Sequence, residues 1–471
     1  MGKSGSDLAS RLRSAVEEAY VSEAEFVRRS YTRTPSWVQG RPPAIVVKPG
    51  STEEVSKIVQ IANETGTPVI PRGGGASVAG FPLSDRADRS ILVDMTRLNR
   101  VLYLDEENMT VGAECGIILS DLADYVHRRG YHIHTVDMPQ YMDTLGGALS
   151  GFNGGGEPSD LATAGEIGQY LLGLEVVLPT GDVVQTGAGP GTNIHVSRQV
   201  DRYPGSPFVT GLFIGDAGVF GIKTRAYFLI SPQPRQMIYG GYECRSYEQV
   251  HKILAHLMAL SPYPYSRIVS LTARGKETWS IFYGIRGSEE EVAHKQAVLH
   301  DTCLQHGALP AVTQMALETL MRFSGRQLGK WYASRGKFLY FEYLFGKSEA
   351  PAYLESQVAF VQERLKEAGL SDLVVDHVTY LIPKERHTYV LGQVYFFDEN
   401  KLDPEKMEAV RNISVEESTR VLEHGGFMEA NQGSLANLSA SVWSPSYTGL
   451  MKTLKKALDP KNIMNPGLWR L

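Results

Sequence analysis

The chain has 471 residues, 42% of them hydrophobic and 21% charged, with a formal net charge of −5. That balance describes a globular protein long enough for two or three domains, and its acidic sign argues against nucleic acid as the main partner. No apolar run approaches the ~20 residues of a membrane span. The three cysteines, Cys115, Cys244 and Cys303, are too scattered for a disulfide framework or a chain-borne iron–sulfur cluster, so a reducing, cytoplasmic compartment is expected.

Leu8 to roughly Arg29 reads as one helix, followed by a lead-in containing proline and tryptophan that runs to residue 40. "AIVVKP" is strand-like. In "GSTEEVSKIVQIANETG", Ser51 or Thr52 caps a helix that stops at Gly66, and Val55, Ile58, Val59 and Ala62 share one face. "TPVIP" is a short strand that leads straight into "RGGGAS". Three glycines in a row cost backbone entropy, so they imply positive φ or something very close to the main chain. Bare N–H groups at the end of a strand in a β-α-β unit can cradle phosphate. Arg72 beside them either neutralises that charge or is solvated. The chain has neither a P-loop nor a G-x-G-x-x-G opening a helix.

"SILVDMTRLNRVLYLDEENMTVGAECG" reads as a pair of strands, "ILSDLADYVHRRG" as an amphipathic helix and "YHIHTVDMP" as a strand. His132 and His134 would share a face of that strand, a spacing open to metal but equally met by partly exposed histidines. A second concentration of glycine runs from Asp143 to Asp160. "LLGLEVVLPTGDVVQTG" is a hairpin turning at Pro179-Thr180-Gly181, and Gly187, Gly189 and Gly191 belong to a loop. Gly215, Gly218 and Gly221 then precede another strand. After Pro232-Gln233-Pro234 glycine thins out, and charged helices alternate with aromatic strands whose period-2 pattern fits a sheet core. The expected division is a lead-in at 1–40, a glycine-rich domain at 41–234, a second α+β domain at 235–420 and a C-terminal segment at 421–471.

Taken in order, "AIVVKPGSTEEVSKIVQIANETGTPVIPRGGGASVAG", "TLGGALSGFNGGG", "LFIGDAGVFGIKTRAYFLISPQP" and "ALDPKNIMNPG" resemble the vanillyl-alcohol oxidase/para-cresol methylhydroxylase flavoprotein superfamily. The resemblance implies an α+β fold: a two-subdomain FAD-binding domain with an α+β cap over the substrate. It places Gly73, Gly74, Gly75, Ala76 and Ser77 on the FAD phosphates, with Arg72 beside them. Thr144, Gly146, Gly147, Gly151 and Asn153 border the flavin and its ribityl chain. Gly221 and Ile222 meet it through the main chain, and Asn465 reaches it from the tail. Ala76 stands near where some relatives tether FAD through histidine, so noncovalent FAD is expected; His387 or Tyr389 is the alternative tether from the cap.

The same resemblance implies transfer of hydride from a hydroxylated substrate, a 2-hydroxy acid or alcohol, with Glu429, His387, Tyr389 and His424 as candidate proton acceptors. Departures from the family patterns are plain. In "HGGFMEANQG", Asn431 and Gln432 replace an expected acid and histidine, and Met428 and Glu429 replace a tyrosine–arginine pair. His377 and His387 lack clustered partners, so no metal is expected. Oxidation of a para-alkylphenol or aromatic alcohol, and a flavin-binding subunit without catalysis, stand as alternatives. The implied partners are the small substrate and an electron-acceptor protein, in a homodimer or a flavoprotein complex.

Overall fold

A computed structural model describes residues 2–34, 40–77, 89–133, 142–151, 167–273, 278–310, 337–384, 386–428 and 435–471. The β-branched runs near the N-terminus are buried on both faces, the habit of parallel strands. They form a four-stranded sheet from β1 (Val21–Ser22), β2 (Ile45–Val47), β3 (Val69–Arg72) and β4 (Ile91–Asp94), in the order β1-β2-β4-β3. β2 and β3 both run parallel to β4. The crossover helix α3 (Thr52–Thr65) is capped by the Ser51 hydroxyl, which accepts from Glu54 N, and ends at Gly66 with φ 66°. Its buried Val55, Ile58 and Val59 pack with Leu12 of α1 (Gly2–Ala15). The single helix expected through Arg29 is broken: Val21 is buried and pairs with Val47, which leaves α2 (Glu25–Ser30) as a separate turn.

A six-stranded antiparallel sheet follows, built on the long central strand β10. Its members are β5 (Val101–Asp105), β6 (Thr110–Glu114), β7 (Tyr131–Ile133), β8 (Leu171–Val177), β9 (Val183–Gln185) and β10 (Ile222–Pro232). They lie in the order β5-β6-β10-β8-β9, with β7 on the far end of β10. Helices α4 (Leu119–His127) and α5 (Leu145–Ser150) bury Leu122, Val126, Leu145 and Leu149 against it. The pair of strands expected over 90–116 is a triplet, because β4 joins the parallel sheet and only β5 and β6 pair here.

The third sheet holds eight antiparallel strands: β11 (Gln236–Cys244), β12 (Arg267–Ala273), β13 (Trp279–Gly287), β14 (Leu309–Pro310), β15 (Lys337–Gly346), β16 (Val374–Lys384), β17 (Thr388–Phe397) and β18 (Phe427–Met428). Their order is β14-β11-β13-β12-β16-β17-β15-β18. Helices α6 (Tyr247–Ala259), α7 (Glu289–Gln305), α8 (Ala350–Glu367) and α9 (Pro404–Glu423) cover one face. Leu381, Tyr389, Leu391, Tyr395 and Phe397 pack there with Ile253, Leu299, Val361 and Val410. Strand alternation therefore sends Tyr340, Glu342, Tyr380, Ile382, Lys384, Val390, Gly392, Val394 and Phe396 to the opposite face.

Because α9 runs to Glu423 and β18 pairs with β15, residues 421–428 stay with this sheet, and the return to the first domain begins after them. It passes through α10 (Ala436–Ser439) and α11 (Pro445–Leu458) and ends with Met464 bridged to Val69 of β3.

Candidate cofactor cavity and the facing sheet

β3 delivers the glycine loop against the segment that opens α5. A Cβ on Gly73 would stand 2.0 Å from Thr144 Oγ1, one on Gly74 1.6 Å from the Met142 carbonyl oxygen, and Gly75 has φ 76°. Each glycine thus has its own reason within the chain, beyond any approach by a ligand. Thr144 caps α5 by accepting from Gly147 N at 3.2 Å, and Gly146 N donates to the Cys115 carbonyl at 2.7 Å. The two glycine segments meet main chain to main chain, and a cavity opens between them and the start of β10.

That cavity is lined by Arg72, Gly73, Gly74, Gly75, Ala76, Ser77, Thr144, Gly146, Gly147, Gly151, Gly221 and Ile222 together. Asn153 lies outside the described residues. Asn465 stands behind the wall: its Nδ2 donates to the Ala217 carbonyl at 2.8 Å and its main-chain N–H to Val69. The Arg72 guanidinium underlies the loop. It donates to the Tyr31 and Arg33 carbonyls at 3.1 and 3.0 Å and lies over the Tyr31 ring, so these hydrogen bonds fasten the lead-in.

Among the further lining groups that sequence reading missed are Asp143, Lys223 and Cys115. Burial pushes the Asp143 carboxyl up to about 7. Lys223 Nζ pairs with Asp216 Oδ1 at 2.6 Å, both side chains buried, and Asp216 Oδ1 also accepts from Gly218 N. The Cys115 thiol is raised far above its ordinary range by burial. The signal for Lys223 was a pair of charges, Lys223 and Arg225, near the start of the strand "GIKTRAYFLI".

The three expected proton acceptors that lie among the described residues do not converge. Tyr389 points into the helix-covered core, where period-2 alternation puts odd positions of β17. His387 is exposed at the turn joining β16 to β17. His424 caps α9 with Nδ1 on the Arg420 carbonyl and its ring against Tyr353, on the helix side. Glu429, Asn431 and Gln432 lie outside the described residues. His377 stacks on Tyr395 at 4.2 Å, and among the described residues no group of three metal-ligating side chains forms.

The opposite sheet face carries a polar cluster that sequence reading passed over as aromatic core. Tyr380 Oη donates to Glu342 Oε1 at 2.7 Å, and Tyr340 Oη stands 2.9 Å from Tyr380 Oη. Glu342 and Tyr380 both pair with Gly392 of the strand between them, and a Cβ there would meet Tyr380 Cζ at 1.9 Å. The glycine lets one phenol cross a strand to reach the carboxylate. Burial raises the Glu342 carboxyl, against the pull of both phenols and of Lys384.

Two family profiles match the chain: that of an FAD binding domain over residues 43–187, and that of the C-terminal domain of FAD linked oxidases over residues 265–468. The glycolate oxidase subunit GlcD of Bacillus subtilis is 31% identical over 44% of this chain, a match spanning only 40% of that protein. The probable mitochondrial D-lactate dehydrogenase of Danio rerio is 24% identical over 98% of this chain and 91% of that one. The crystal structure of p-cresol methylhydroxylase with substrate bound superposes with a TM-score of 0.84 at 18% identity, covering 100% of this chain and 98% of that one. The fold is therefore of the p-cresol methylhydroxylase type, and the cofactor is FAD. The cavity fits it: a loop stripped of side chains presents amides beside a capped helix start. No helix among the described residues is long and apolar enough to cross a membrane.

Proposed function

Because this chain belongs to the FAD-linked oxidases, we propose that it is an FAD-dependent oxidoreductase that removes hydride from the hydroxyl-bearing carbon of a small substrate, a 2-hydroxy acid or an alcohol. The observation that carries this reading is the meeting of three distant segments, 72–77, 143–151 and 217–223, around one cavity. FAD supplies a two-electron acceptor when bound. The chain's own residues bind and orient: the amides of 73–77 and the Thr144-capped turn hold the diphosphate, and the buried Lys223–Asp216 pair fixes the wall around Gly218. The third sheet roofs the substrate with the face opposite α6–α9. Attachment is noncovalent, since Ala76 offers no nucleophile and the Cys115 thiol stays protonated.

The purified protein should be yellow, release its flavin on acid denaturation, and bleach anaerobically with D-lactate or glycolate. A colourless protein that stays colourless with added FAD sinks the reading. One observation favours a second substrate class: Ile382, Val390, Val394 and Phe396 make the face opposite α6–α9 largely apolar, which suits an aromatic alcohol or alkylphenol. Bleaching by 4-ethylphenol but by neither acid selects it. Bleaching by dithionite alone points instead to a flavin-binding subunit.

A further inference from the structure

We propose that the chain has a second ligand site, a basic cleft at the seam between the cofactor domain and the third sheet, which takes a small molecule carrying two negative charges, a phosphate monoester or a dicarboxylate. The site goes beyond the oxidoreductase reading and is separate from the cofactor cavity, since no residue lines both. One wall belongs to the cofactor domain and includes His132 of β7 and Gln233, just past β10. The other includes Arg235 just ahead of β11, Arg286 near the end of β13, and Glu291 and Lys295 on the first turns of α7. Both walls are fixed by the chain itself. Gln233 N donates to the Gly130 carbonyl and its Nε2 to the His127 carbonyl, each at 3.0 Å, which ties the linker to the end of α4. Arg286 Nη1 stands 2.9 Å from His132 Nε2 across the seam. A guanidinium has no acceptor, so His132 Nε2 takes that hydrogen bond and the ring is neutral. The His127 ring stacks on His132 with centroids 5.6 Å apart.

The charges in the cleft do not balance. Three cations, Arg235, Arg286 and Lys295, line it against one carboxylate, Glu291. That carboxylate is committed elsewhere: its Oε2 accepts from Ser288 N at 2.8 Å in the capping box of α7. Gly287 makes room for it, because a Cβ there would stand 2.6 Å from Glu291 Oε2. Glu289 and Glu290 of the same turn are exposed and do not line the cleft. Arg235 and Lys295 form no ion pair among the described residues. Like charges gathered in one cleft repel, and an anion bound among them relieves the repulsion. A dianion matches the imbalance, as a phosphate monoester does with its charge of about −1.5 to −2 at neutral pH. Its oxygens also suit the forked donors of the two arginines, which a chloride ion cannot engage in pairs. The cleft, about 410 Å³ and open to solvent, has room for a whole small molecule around the charged group. A ligand that touches both walls resists their separation, so it stabilises the folded chain by mass action.

Thermal melting of the FAD-loaded protein at constant ionic strength tests this, with sodium phosphate, sodium succinate or sodium chloride as the varied salt. Loading with FAD keeps the cofactor cavity filled, so an added anion must bind elsewhere. Phosphate or succinate should raise the melting temperature along a curve that saturates at millimolar concentration, and chloride should not. Arg235→Gln and Lys295→Gln should each raise the half-saturating concentration about 10-fold. Neither substitution should change the melting temperature in chloride or the visible spectrum of the flavin. Saturation with phosphate alone selects a phosphate monoester, with succinate alone a dicarboxylate, and with both a site that reads charge only; each result supports the cleft. A response that climbs without saturating is that of a salt excluded from the protein surface. That response, or the same saturating curve in the wild type and both variants, overturns the inference. The oxidoreductase reading survives either result, because it rests on the other cavity.

Discussion

A side chain on Gly74 would stand 1.6 Å from the carbonyl oxygen of Met142, so these two stretches of main chain touch with nothing between them. Gly74→Ala must lift the loop off the segment that opens α5, and the amides lose their aim at the cofactor. FAD affinity should fall at least about 10-fold, or 1.4 kcal/mol, while far-ultraviolet circular dichroism stays native. Fluorescence titration of the FAD-free protein measures it; an unchanged Kd would mean that the loop does not grip the cofactor.

Asp143 lines the same cavity with its carboxyl pushed up to about 7 by burial. Below that value the group is neutral and tolerates a neighbouring diphosphate; above it a further negative charge stands beside the two of the diphosphate. FAD binding should therefore weaken as pH rises from 6 to 8, and Asp143→Asn should flatten the curve. The same titration at each pH checks this, and identical slopes for the two proteins would refute it.

In the third sheet's core, Glu417 of α9 is fully buried, and burial pushes its carboxyl from 4.5 up to about 7, opposed by Gln357, Arg420 and Tyr353. The folded state binds this proton more tightly than the unfolded state does. The stabilisation is complete below the unfolded value and is lost as pH climbs through the folded one. The shift corresponds to something on the order of 3 kcal/mol. Thermal melting should drop between pH 5 and pH 8, and Glu417→Gln should remove most of the drop. A parallel fall in both proteins would assign it elsewhere.

Lys455 of α11 is buried with Nζ on Asp459 Oδ2 at 2.6 Å and on the Val219 and Met464 carbonyls at 3.0 and 2.8 Å. Asp459 in turn accepts from the Ile463 and Met464 N–H groups. Lys455→Met strands that carboxylate and two carbonyls, at a cost of about 3–5 kcal/mol. Urea denaturation should show the loss in the transition that reports on the cofactor domain, with FAD affinity falling alongside. A loss below about 1 kcal/mol would mean the carboxylate finds other partners.

The glycine segments and the first capped helix are local signals: Ser51 and Gly66 act within four residues of themselves and can be read from spacing. The residues set around the cofactor, Thr144 among them, came instead from the family resemblance. The reasons for the three glycines could not be read from spacing, because Thr144, Met142 and the Arg72 side chain meet them only in three dimensions. The break at Val21 was hidden for a similar reason: its partner Val47 lies beyond α2 and the lead-in. The polar cluster was the costliest omission. In "FLYFEYLF" the even positions Tyr340 and Glu342 alternate with core aromatics, but which face is core depends on four helices encoded elsewhere in the chain. Tyr389 failed as a candidate for the same reason, since one step in register decides between the core and the roof.

The C-terminal segment backs the cofactor cavity, where Asn465 holds the Ala217 carbonyl, and it also ties down the first domain, where Lys461 bonds to Asn63, 398 positions earlier. On the ribosome, the glycine loop emerges long before the residues that back it, with the whole eight-stranded sheet translated in between. A nascent chain stalled after that sheet would display the amides without their support, so coenzyme loading should be a late event of biosynthesis that only full-length translation permits.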